Sequence, residues 1–97
     1  MLKTLDECMQ ARYHVRQLKC EYEREIEWRV RVPEAQEIIA ELKTLRHYVE
    51  SLTRQIAKMD AIIGEMIKVP VGTDDYAVKI GQLADQDPSI WTATVKA

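Results

Sequence analysis

Residues 33–70 read PEAQEIIAELKTLRHYVESLTRQIAKMDAIIGEMIKVP, and the fold turns on how this stretch is read. From Ile38 onward, Leu42, Leu45, Val49, Leu52, Ile56, Met59, Ile63 and Met66 follow one another at alternating steps of four and three. That is an apolar seam with a 3.5-residue repeat, the pattern of a helix packed along its length against another helix. The spacing predicts one long helix over about 34–68, reaching about 50 Å at the α-helical rise of 1.5 Å per residue. Pro33 suits its first turn, where Glu34 and Glu37 also complement the positive end of the helix dipole. Gly64 interrupts the pattern at a cost of about 1 kcal/mol without ending it, and Pro70 with Gly72 stops the helix.

Upstream, Leu5, Cys8, Ala11, Val15, Leu18, Tyr22, Ile26 and Val30 share a looser stripe whose steps of four drift around the helix axis. Thr4 with Glu7 three residues later has the form of a capping box, so a first helix is expected over about 4–31. Glu25 with Arg29 and Glu27 with Arg31 place acid four residues before base, the favourable order on a helix. The string Ile26 to Val32 also alternates apolar and charged residues, so a short extended piece before Pro33 is the alternative there. The break at Val32–Pro33 is brief enough to fold the two helices back antiparallel. The expected fold is therefore all-α: a coiled-coil-like two-helix hairpin over 1–69, followed by a tail over 70–97. In that tail Thr73-Asp74-Asp75 reads as a cap, Tyr76, Ile80 and Leu83 as a short helix broken at Gly81, and Asp87-Pro88 as a further start. Ile90 to Val95 is rich in strand formers.

Ninety-seven residues with 14 basic and 16 acidic side chains give a small chain of net charge −2, without bulk attraction to nucleic acid or anionic membrane and too weakly acidic to imitate duplex DNA. The excess negative charge lies in the tail, where Asp74, Asp75, Asp85 and Asp87 face only Lys79 and Lys96. No apolar run approaches the roughly 20 residues a membrane-spanning helix needs, and the first residues lack the apolar core of a secretion signal. Cys8 and Cys20 on one helix stand about 18 Å apart, beyond reach of a disulfide. A reducing, cytoplasmic setting is expected.

Cys8, His14, Cys20 and His47 match no zinc spacing, so no metal and no cofactor is expected. Glu21, Glu23, Glu25 and Glu27 read as a solvated helix end rather than as converging acid/base groups, and no phosphate loop or nucleophile elbow can be assembled. The chain reads as a non-enzyme. Its candidate contact residues are of two kinds. Arg12, Arg16 and Lys19 form a basic stripe suited to an acidic partner surface; phosphate tracking is the weaker reading, because the acids from Glu21 onward interrupt the stripe. Trp28, Ile39, Tyr48, Ile62 and Ile67 widen the apolar face beyond what one partner helix covers, which marks an interface unless the tail, with Tyr76, Ile80, Leu83 and Trp91, folds back over it. Pro70, in Val-Pro-Val-Gly past the long helix, is placed where a prolyl isomerase can reach it.

Trp28-Arg29-Val30 lacks the glycine of the secreted hairpins with a Trp-x-Gly turn, so the chain departs from that family. In size, hairpin-plus-tail layout and expected compartment it resembles the small accessory proteins with which lambdoid phages modify the host recombination nuclease RecBCD. The likeness covers most of the chain as layout. It implies a non-catalytic protein that docks on the RecC subunit and restrains the nuclease, and recruitment of a host prolyl isomerase through a tail proline, for which Pro70 is the match. The alternative is a homodimer, two hairpins pairing their seams in a four-helix bundle as a structural or assembly-chaperone protein.

Overall fold

The computed structural model describes residues 3–31 and 36–92, with the side chains of residues 36–38 excepted. The connection over 32–35, including Pro33 and Glu34, and the last five residues of the strand-prone tail lie outside the described residues. Two long helices, α1 (Leu5–Val30) and α2 (Gln36–Ile67), are followed by a short helix α3 (Tyr76–Ala84) and a 3-10 turn (Pro88–Trp91). There is no strand among the described residues.

The start of α1 is the capping box expected of Thr4 and Glu7. The Glu7 amide donates to Thr4 Oγ1 at 3.2 Å, and the Thr4 amide donates to Glu7 Oε1 at 3.2 Å. Helix α1 then runs unbroken through the alternating string as far as Val30, which decides residues 26–30 for helix. Glu25 pairs with Arg29, and Glu27 with Arg31 at 3.2 Å, as their spacing required. Helix α2 ends by tightening: the amides of Lys68 and Val69 reach back three residues, to the carbonyls of Glu65 and Met66. Pro70 follows, and Gly72 then takes φ +93°, a left-handed conformation that only glycine adopts without steric cost.

Helices α1 and α2 lie antiparallel, since Arg29 meets Glu41 near their connection while Arg12 meets Asp60 far from it. Cys8 and Val15 of α1 are fully buried against Leu52, Met59, Ile63 and Met66 of α2. The tail docks on this half of the hairpin. Ile80 and Ala84 of α3, with Ile90 and Trp91 of the 3-10 turn, join the same core. The Gln55 side-chain amide of α2 donates to the carbonyls of Ile90 and Thr92 and so ties the tail to the hairpin, while Trp91 Nε1 donates to the Ala84 carbonyl at 2.9 Å and holds the 3-10 turn against α3.

Three details of the tail differ from expectation. Asp75 occupies the cap position of α3, yet its carboxylate reaches forward to Lys79 at 3.4 Å and makes no capping hydrogen bond. Gly81 does not break α3. It lies buried within it. Ile90 and Trp91 form a 3-10 turn begun by Pro88 rather than a strand, because their side chains are drawn into the core.

The third layer covers only the half of the hairpin remote from the connection. There the seam is largely closed, with Leu52, Met59, Ile63 and Met66 fully buried and Ile56 half-buried; toward the connection Leu42, Leu45 and Val49 are all only half-buried. The molecule is accordingly a rod of 61 × 18 × 16 Å.

Candidate protein-docking surfaces

The basic stripe folds against an acid of its own chain. Arg12 Nη1 donates to Asp60 Oδ1 at 3.0 Å, and Arg16 Nη2 to the same oxygen at 3.3 Å. Lys19 is half-buried. Asp60 flanks the seam of α2, one residue after Met59, and so faces the side of α1 that carries the stripe. The signal that could have found this pairing is its place beside the seam in an antiparallel partner.

Trp28 stands on the outer side of α1 with 61% of its surface exposed, and the Arg29 guanidinium lies 5.6 Å from its ring centroid. Arg29 also bridges the helices, reaching Glu41 at 2.6 Å and Glu25 on its own helix. The hydrogen bonds it donates to Glu41 and then to Glu25 push its pKa above the usual arginine value, which keeps it charged at every working pH. Glu25 is thus more than a solvated acid, as is Glu27 in its pair with Arg31. Tyr48 is half-buried, its ring 5.4 Å from that of Tyr22 across the two helices.

Two expected contact residues sit elsewhere. Ile62, 9% exposed, and Trp91, 5% exposed, belong to the core beneath and within the docked tail, so neither lies on an open face. The reason is the extra layer: α3 and the 3-10 turn fold back over the flank of α2 that a hairpin alone leaves bare.

The other apolar flank stays open. Ile67 is 66% exposed and Val71 85%, with exposed Pro70 between them. Val69 and Pro70 also line a shallow groove against Leu83 of α3, rimmed by Lys68 and Lys79. The Val69–Pro70 bond is trans. Ile39 at the opposite end is half-exposed, as is Val30.

Both cysteines are free thiols, Cys8 buried and Cys20 exposed. Burial pushes the Cys8 thiol up, Lys3 partly offsetting this and Glu7 adding to it, so Cys8 holds its proton and packs as a small apolar side chain. Among the described residues no three His, Cys, Asp or Glu side chains are grouped so as to hold a metal ion, and no helix is long and apolar enough to cross a membrane. The described surface sets exposed apolar side chains among ion pairs. No protein-family model, no curated protein and no solved structure matches this chain.

Proposed function

We propose that the chain is a non-catalytic docking module, a stiff helical hairpin that binds a larger protein. The observation that carries this reading is the apolar end formed by Ile67, Pro70 and Val71, three side chains within five residues left in solvent beside a tightly packed core. Scattered apolar residues on a surface need no explanation, but a contiguous group rimmed by charged residues marks an interaction site. Arg16, half-exposed beside Asp60, and Lys19 supply charge for orientation, whereas Arg12, four-fifths covered by its pairing with Asp60, serves the fold.

In its most specific form, resting on the resemblance in layout, the module is a phage-encoded modulator that docks on the RecC subunit of RecBCD. It acts by occlusion or by altered communication within the complex, and Pro70 is the ligand for a host prolyl isomerase. Affinity capture with the full chain from a bacterial lysate tests this: RecBCD subunits and a cyclophilin should be recovered. Val71→Asp should abolish the RecBCD capture and Pro70→Ala the cyclophilin, both with unchanged helical circular dichroism. Recovery of neither protein removes the specific form.

A further inference from the structure

One half of this hairpin has a third layer and the other half does not. Ile62 and Tyr48 hold equivalent heptad positions on α2, fourteen residues apart on the flank where the tail docks. Ile62 is sealed in the core with the tail's Ile80, Ile90 and Trp91. Tyr48 packs beside the rings of Tyr22 and His47, takes no contact from the docked tail's core residues, and stays half-buried. One heptad nearer the connection, the same flank opens as a groove between α1 and α2, lined by Arg29, Ala40, Glu41, Thr44 and Leu45.

The size of the deficit indicates the occupant. A compact chain of this length has a radius of gyration of about 12–13 Å, whereas this one has 17.1 Å. Its accessible surface of 6879 Å² exceeds the scaling expectation of about 5,700 Å² for a monomer of its mass by about 1,200 Å². Spread over the whole rod, that excess is larger than the roughly 800 Å² each partner gives to a standard stable interface. A helix carrying the same 3.5-residue repeat suits it as cover, because the half-buried part of the seam has that repeat. The rim carries both signs, Arg29 between Glu25 and Glu41, so it can meet an identical patch across a two-fold axis without like charges confronting each other alone.

We infer that the groove over Ala40, Thr44 and Leu45, with the neighbouring Tyr22–Tyr48 pair, is covered by a second copy of this chain, two connection-proximal halves forming a central four-helix bundle with the tail-capped halves pointing outward. The inference goes beyond the docking proposal: it leaves the Ile67–Val71 ends of the dimer free for a foreign protein.

Sedimentation of the full chain from low to high micromolar concentration tests it. The expected result is one species of twice the 11.3 kDa chain mass. Thr44→Arg places a long cation on an exposed position of the groove, at no cost to helix propensity, and Tyr48→Arg replaces the half-buried ring next along the same flank. Thr44→Arg should sediment as a monomer with undiminished helical circular dichroism; Tyr48→Arg should do the same. A wild-type chain that stays monomeric throughout, or assembles to any other mass, overturns the inference. So does a Thr44→Arg variant that remains a dimer. A dimer that captures no host protein overturns the docking proposal alone, and a monomer that captures one overturns the second-copy inference alone.

Discussion

Gly64 lies inside α2, and a Cβ built on it meets nothing within 4 Å. Replacing it by alanine removes backbone freedom from the unfolded chain without a clash, so Gly64→Ala should stabilise by about 1 kcal/mol in urea denaturation. Gly72 is the opposite case. At φ +93° a side chain is strained whatever the space around it, and Gly72→Ala should cost about 1 kcal/mol in the same measurement. The two cysteines differ as sharply. A thiol-specific reagent should modify one thiol per native chain, Cys20, and two in urea; rapid native modification of Cys8 would show that the start of α1 opens readily. Arg16→Glu sets a carboxylate beside Asp60 but disturbs only an exposed ion pair, so it should cost less than about 1 kcal/mol. The basic stripe was legible as a stripe. Its acidic partner was not, because Arg12 and Asp60 lie 48 residues apart and nothing local to either names the other.

At the scale of elements, the two halves of α2 should respond differently to the same change. Leu52 is fully buried and Leu45 half-buried, so Leu52→Ala should cost about 2–5 kcal/mol and Leu45→Ala clearly less, compared by chemical denaturation at one low protein concentration. An aspartate at Leu52 leaves an unpaired charge in the closed seam and should unfold the chain. Thr4→Ala deletes one half of the capping box and should cost about 1 kcal/mol. These elements were readable for a local reason: a helix buries its seam through residues three and four apart, and a cap acts within one turn. The alternation from Ile26 to Val32 carried the opposite signal. Helix prevailed through Val30 because the Glu25–Arg29 and Glu27–Arg31 pairs need helical spacing, and because Arg29 must reach Glu41.

For the whole molecule, the tail stands or falls with Trp91. Helix α3 has nine residues, too few to persist alone in water, and depends on the core it joins. Trp91→Ala removes a buried indole and its bond to the Ala84 carbonyl, and should cost about 3–5 kcal/mol. In hydrogen exchange the amides of α3 should lose protection while those around Leu52 and Met59 keep theirs; equal loss throughout would mean that tail and hairpin unfold as one unit. Acrylamide should quench Trp28 strongly and Trp91 weakly, which reports tail docking without any substitution.

The amino-acid sequence by itself determined that this chain forms two long antiparallel helices, where the first begins, and which residues of the second make its seam. Period, capping and helix-stopping residues act over one or two turns and are written locally. Only the tertiary structure decided that the tail covers one half of the hairpin, burying Ile62 and Trp91, and that Asp60 takes up Arg12 and Arg16. It also left Ile67, Pro70 and Val71 in solvent at the far end of α2. Those outcomes depend on contacts between residues tens of positions apart, and a short apolar stretch specifies that it will be buried without specifying against what.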